Sequence, residues 1–232
     1  MQFVNYAHRG ASEYTPENTL MAFYTGLFMG ANGIETDVQR CKDGTLVLFH
    51  DSTLLRVTGE AGSVEDYTFP QLQEFLVKKN GLEDRIVSFE EFLQKFAFRD
   101  ITFAIELKGA GVEEDTARLL RQYGLEKKAV VTSFSLDYLR RFRSFAPEFQ
   151  IGLLTESTED ALLEEWKAMG AEEYCPIANR MTPELVAKWH SLGFRVRAWG
   201  VSNEDLMHHV LRCGADGMTV NFPDKLTAAL RK

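Results

Sequence analysis

The chain has 232 residues, 45% of them hydrophobic and 17 of them phenylalanine, enough to bury one substantial core in a single domain spanning residues 1–232. Its formal charge of −8, from 34 acids against 26 bases, comes with no run of lysine or arginine, so no nucleic-acid partner is expected. Apolar stretches stop well short of the roughly 18 residues a membrane helix needs. No leader is visible, and three scattered cysteines suit neither a disulfide framework nor a C-x-x-C zinc site, so the expected compartment is the cytoplasm.

In chain order, the strand V-N-Y-A-H (4–8) leads into T-P-E-N, where Thr15 is expected to cap a helix that Pro16 starts and whose Leu20, Phe23, Tyr24, Leu27 and Phe28 are expected to pack on the sheet. The strand G-I-E-T-D-V (33–38) follows, and only a few residues around K-D-G separate it from L-V-L-F-H (46–50). A parallel crossover needs a dozen or more residues, so these two strands are predicted to form an antiparallel hairpin turning near Asp43 and Gly44, which carries His50 back beside Glu35 and Asp37. Residues 51 to about 100 break the rhythm: a glycine-rich polar stretch precedes two helical patterns, Leu72 to Val77 and Phe89 to Phe98. They read as an insertion over the mouth of the fold. Strands F-A-I-E-L, A-V-V-T-S-F, Q-I-G-L-L-T, E-E-Y-C-P, R-V-R-A-W-G and G-M-T-V-N-F then alternate with helical patterns. Eight strands of one kind plus a hairpin predict an α/β fold, a (β/α)₈ TIM barrel with the hairpin rising from its C-terminal rim; an open doubly wound sheet is the alternative.

Side chains alternate along a strand, so Glu35 and Asp37 share a direction, as do Glu106 and Lys108 in I-E-L-K. Any one of these acids could serve a cap or a salt bridge. Together they would repel one another, and the usual relief is a hard divalent cation bound through oxygen, Mg²⁺ or Ca²⁺. His8 and His50 both close apolar strands, at the ends where barrel enzymes place their chemistry, and suit a general acid and a general base. His190, His208 and His209 fall on helical patterns and read as surface residues. Arg9 and Lys108 offer cationic donors to a phosphoryl group. Gly10 suits either close approach to a ligand or an ordinary turn. Phe134 and Trp199 end late strands, where they would wall a ligand's carbon skeleton; if Trp199 points inward, Arg195 and Arg197 tend to as well.

The ordered set H-R-G-x-x-x-x-x-P-E-N-T, I-E-T-D-V, K-D-G, V-x-x-H-D, L-x-R-V-T-G-x-x-G-x-V, I-E-L-K, S-F and W-G resembles the glycerophosphodiester phosphodiesterase family nearly end to end. The resemblance implies a barrel enzyme that hydrolyses small-molecule glycerophosphodiesters, such as glycerophosphocholine and glycerophosphoethanolamine, to sn-glycerol 3-phosphate and an alcohol. It also implies His8 and His50 as the catalytic pair, Glu35, Asp37 and Glu106 as ligands of a divalent metal, Arg9 and Lys108 on the phosphate, and Phe134 and Trp199 near the glycerol. This chain departs from the family pattern in two places. Gly200, Val201 and Ser202 intervene before Asn203 where T-V-N is common, and Asn221 stands where the last strand often ends in an acid. Two other readings compete: a lysophospholipase D-like enzyme with an apolar collar around Tyr67, Phe69, Leu72, Phe75 and Leu76, and a metal-dependent binding protein without turnover. No feature marks a subunit interface.

Overall fold

The computed structural model describes residues 3–231. Eight parallel strands close on themselves in the order β1 (Val4–His8), β2 (Gly33–Arg40), β6 (Thr102–Leu107), β7 (Ala129–Ser133), β8 (Gln150–Thr155), β9 (Glu173–Pro176), β10 (Arg195–Val201) and β11 (Gly217–Val220), which pairs back onto β1. The predicted TIM barrel is therefore the fold. Helices α1 (Leu20–Phe28), α4 (Phe89–Phe96), α5 (Glu113–Gln122), α6 (Leu136–Phe145), α7 (Asp160–Ala168), α8 (Pro183–Ser191), α9 (Glu204–Cys213) and α10 (Pro223–Leu230) alternate with these strands. The apolar side chains of strands and helices merge into one buried cluster, in which Phe23, Phe92, Phe96 and Phe103 meet edge to face or tilted.

The expected hairpin is present. Strand β3 (Leu46–Leu48) runs antiparallel to β2, with Val38 opposite Leu48, and the turn closes where the Gly44 amide donates to the Cys41 carbonyl at 2.9 Å with Gly44 at φ +91°. Beyond it the chain makes two short helices, α2 (Leu55–Thr58) and α3 (Phe69–Leu72), and a second hairpin, β4 (Leu76–Lys79) with β5 (Leu82–Arg85). Leu54, Val57, Val64, Leu72, Val77 and Ile86 give this segment an apolar cluster of its own against Cys41, Val47 and Phe49.

Three local expectations are corrected here, the first being that Phe28 packs on the sheet: it ends α1 exposed to solvent. The Leu72–Val77 pattern does not continue as a helix: α3 stops at Leu72, and the Asn80-Gly81 pair, at φ +52° and +78°, turns a hairpin instead. Helix α1 starts at Leu20, with Thr19 as its cap accepting from the Ala22 amide at 3.2 Å, because Asn18 at φ +56° interrupts the helical path. Thr15 instead donates to the Ala11 carbonyl at 3.0 Å. No helix among the described residues is long and apolar enough to cross a membrane.

Candidate active site

The C-terminal ends of β1, β2, β6, β10 and β11 open onto a cavity of about 290 Å³ whose walls include His8, Arg9, Glu35, His50, Glu106 and Lys108 on one side and Phe134 and Trp199 on the other. Parallel register explains the grouping. His8 lies opposite Glu35 across β1 and β2, and Asp37 opposite Glu106 across β2 and β6. Antiparallel pairing then returns the chain from Leu48 so that the Phe49 amide donates to the Asp37 carbonyl at 3.1 Å, which sets His50 at the same rim. His8 and Glu106, distant in sequence, are thus joined by strand pairing through β2.

Glu35, Asp37 and Glu106 are all buried, and one carboxylate oxygen from each lies within 4.8 Å of the others. Their environments differ. Burial and the neighbouring Asp37 charge hold the Glu35 carboxyl well above the usual range, and the same two causes push Glu106 up to about 7. For Asp37 burial also works upward, but Arg9, Lys108 and His50 outweigh it and keep this carboxyl below its ordinary value. Lys108 Nζ sits 2.8 Å from Glu106 Oε1 and 3.6 Å from Asp37 Oδ1; Arg9 Nε sits 3.3 Å from Asp37 Oδ2. Even so, Asp37 Oδ1 and Arg9 Nε are buried without a hydrogen-bond partner. A buried carboxylate oxygen left without a donor inside a set of all-oxygen ligands fits a hard divalent cation.

The histidines differ in their partners. His8 Nδ1 lies 2.6 Å from Asn221 Oδ1, and its Nε2 is 3.8 Å from Glu35 Oε2. Desolvation and the Arg9 charge push its pKa down to about 3, so the ring is neutral at ordinary pH. His50 Nδ1 lies 2.7 Å from Asp51 Oδ1. Desolvation lowers its pKa, and the Arg9 and Lys108 charges add to this while Asp37 and Asp51 oppose it.

Arg9 occupies the left-handed region at φ +54°, an uncommon conformation for a non-glycine residue and one that clusters at functional sites. Its amide donates to the Glu35 carbonyl at 2.9 Å and its carbonyl accepts from the Asn18 amide at 3.0 Å. Gly10 follows at φ +82°, and a Cβ there would meet the Ala22 carbonyl carbon at 2.4 Å. Gly10 therefore serves the approach of this loop to α1. Phe134 and Trp199 meet edge to face with ring centroids 4.9 Å apart, and Phe134 remains half-exposed at the rim. Trp199 points into the mouth with its indole N–H donating to the Thr155 carbonyl at 3.2 Å. Alternation then carries Arg197 inward, where it is buried. The pairing of β10 with β11 shifts register between Ala198 and Val201, and Gly200 at φ +71° takes up the bend.

Residues of the T-P-E-N stretch, expected to serve as a helix start, complete the rim. Glu17, in the supposed helix cap, accepts from Arg9 at 2.9 Å and from Arg56 Nη1 at 2.8 Å, and Arg56 also binds Asp51. Asn18 donates to Asp37 Oδ2 at 2.9 Å while accepting from Thr36 at 2.8 Å. The E-N dipeptide is the signal, since two polar residues there proved buried or half-buried rather than solvent-facing. Of the three helical histidines, His190 and His208 are exposed as expected, whereas His209 is half-buried with Nε2 3.0 Å from the Met181 carbonyl oxygen.

The chain is similar to known proteins over nearly its whole length. The chain is 33% identical over 240 residues to a glycerophosphodiester phosphodiesterase of Caldanaerobacter subterraneus subsp. tengcongensis, covering 97% of both chains, and 32% identical over 232 residues to one of Bacillus altitudinis, covering 95% of each. Its fold is similar to that of a glycerophosphodiester phosphodiesterase of Agrobacterium tumefaciens, with a TM-score of 0.87, 24% identity and coverage of 98% of this chain and 100% of that one. An Oleispira antarctica phosphodiesterase solved with the product sn-glycerol 3-phosphate gives a TM-score of 0.87 at 23% identity, covering 98% and 96%. The model of the glycerophosphoryl diester phosphodiesterase family matches residues 8–225, from the first rim histidine to the start of α10, and the chain belongs to that family of enzymes.

Proposed function

We propose that this enzyme hydrolyses soluble glycerophosphodiesters to sn-glycerol 3-phosphate and an alcohol, with a divalent cation, Mg²⁺ or Ca²⁺, held by Glu35, Asp37 and Glu106, and with His8 and His50 as proton carriers. The observation that carries this reading is the convergence of a buried triad of acids and two histidines on one cavity, with a carboxylate oxygen of Asp37 left without a partner.

In this scheme the glycerol 2-hydroxyl attacks phosphorus, one histidine takes its proton and the other donates a proton to the departing alkoxide. Water then opens the cyclic phosphate in a second step, with the histidine roles exchanged. Arg9 and Lys108 offer fixed positive charge to the phosphoryl oxygens, and Phe134 with Trp199 walls the carbon skeleton. The bound cation would supply Lewis-acid stabilisation of phosphoryl charge.

A lipid substrate finds less support. Of the residues proposed as an apolar collar, Leu72 is buried, and Tyr67 and Phe75 pack edge to face with ring centroids 5.0 Å apart against the inner cluster of their own segment. A binding protein without turnover would have no use for the paired histidines.

The test is release of glycerol 3-phosphate from glycerophosphocholine and glycerophosphoethanolamine with Mg²⁺, with Ca²⁺ and with excess chelator. Cation-dependent release is expected, and His8→Ala and His50→Ala should each lower kcat by about 10² to 10⁴-fold with the fold intact. Full turnover in chelator would overturn the metal assignment, and a loss of only a few-fold would remove the histidines from the chemistry.

A further inference from the structure

We infer that Asn221 is a positioning residue for His8: its side-chain carbonyl accepts the Nδ1 proton and so keeps the Nε2 lone pair directed at the reacting groups. This inference rests on His8 being a proton carrier, as proposed above.

The argument begins with the register of the closing strands. Ala7 pairs with Val220, so the next residues, His8 and Asn221, leave the barrel side by side. Asn221 is tied down at its backbone, where its carbonyl accepts from the Glu13 amide at 3.1 Å. Its side-chain Oδ1 lies 2.6 Å from His8 Nδ1 and also accepts the Ser12 hydroxyl at 3.0 Å. The serine comes from the same loop as His8, so loop and ring are fastened to one amide oxygen.

The remaining face of the ring decides which atom carries the proton. His8 Nε2 points toward Glu35, 3.8 Å from Oε2, within the cavity wall. A neutral imidazole holds one proton, and the partner of one nitrogen sets the state of the other. If Nε2 carried the proton, a bare Nδ1 would face the Asn221 oxygen at 2.6 Å, acceptor against acceptor, and Nε2 could not take a proton from a substrate hydroxyl. With the proton on Nδ1, the ring satisfies Asn221 and leaves Nε2 free.

An amide differs from a carboxylate here in one respect. It accepts the Nδ1 proton without adding a fourth negative charge beside Glu35, Asp37 and Glu106. The substitution of asparagine for an acid at this strand end therefore keeps the orienting hydrogen bond and spares the acid cluster further repulsion.

Ring ¹⁵N NMR of histidine-labelled protein at pH 8, combined with kinetics of Asn221→Leu and Asn221→Asp, tests this. Wild type should show a neutral His8 ring with the proton on Nδ1. Asn221→Leu should shift the ring toward the Nε2–H form and lower kcat roughly 10- to 100-fold, the scale seen when an orienting partner is lost from a ligand histidine, with KM nearly unchanged. Asn221→Asp should restore both the Nδ1–H form and most of kcat. A wild-type ring protonated on Nε2, or an Asn221→Leu enzyme with undiminished kcat, would overturn the inference. Should Asn221→Leu fail to fold, the wild-type spectrum still decides the tautomer. An active His8→Ala enzyme would instead remove the underlying reading, so the two failures are told apart.

Discussion

Two charged clusters lie buried in this barrel, and they are built on opposite terms. Lower in the interior, Arg197 gives each guanidinium nitrogen a partner: Glu173 Oε2 at 3.0 Å, Thr219 Oγ1 at 2.7 Å and Cys175 Sγ at 3.4 Å, with the Tyr6 ring 5.1 Å from its Cζ. At the rim, Glu35, Asp37 and Glu106 crowd together against Arg9 and Lys108 and leave Asp37 Oδ1 and Arg9 Nε without hydrogen bonds. A buried polar group without a partner costs free energy, so the rim cluster persists only because the barrel around it fixes those strands. The lower cluster is a closed ion pair whose value is structural. The upper one leaves charges unmatched, and this is the feature on which the proposed cation site rests.

The contrast breaks most sharply if the lower pair is opened. Arg197→Met should destabilise the protein by about 3 to 5 kcal/mol, since it leaves Glu173 buried with only Arg195, 3.8 Å away, as counter-ion. Denaturant melts would read this, and a cost below about 1 kcal/mol, the scale of an exposed pair, would show that the two clusters are not different in kind.

Removing a charge from the rim should act the other way. Because the Glu106 pKa is raised from 4.5 to about 7 in the folded protein, its protonated form is the one the fold prefers. Its contribution to stability is present below 4.5 and is lost as pH rises through about 7. In cation-free buffer Glu106→Gln should therefore melt at least as high as wild type at pH 8, and the difference should vanish near pH 4. A variant less stable than wild type at pH 8 would mean that the Glu106–Lys108 contact dominates the repulsion.

The smallest effect is expected at the aromatic wall. Trp199→Ala removes one wall of the cavity and the edge-to-face contact, about 0.5 to 1.5 kcal/mol beyond its area, that holds Phe134 in the other, so KM for a glycerophosphodiester should rise several-fold while kcat changes little. A collapse of kcat with unchanged KM would place Trp199 in the chemistry itself.

How much of this was legible beforehand follows the range of the interactions. The barrel, the β2–β3 hairpin and the convergence of His8, Glu35, Asp37, His50 and Glu106 follow from strand period and connection length, both local properties of sequence. The role of E-N in T-P-E-N was masked because a proline followed by an acid also satisfies a helix start; only tertiary packing shows Glu17 and Asn18 turned toward Arg9 and Asp37. The β4–β5 hairpin was available in the Asn80-Gly81 dipeptide but was overridden by the apolar spacing before it. That Arg197 faces inward with Trp199 follows from alternation, whereas the shift of register beyond Ala198, taken up at Gly200, is not encoded by it.

The most direct test of a rim cluster built for a cation is thermal melting of wild type and Glu106→Gln at pH 8, with and without Mg²⁺ or Ca²⁺. At a hundredfold excess over Kd, binding to the folded state adds about 2.7 kcal/mol, and at roughly 2 to 4 °C per kcal/mol for a chain of this size the wild-type melting temperature should rise by about 5 to 11 °C. The variant, with its ligand set broken, should move far less. Equal shifts in both proteins, or none in either, would contradict the assignment of Glu35, Asp37 and Glu106 as the metal site.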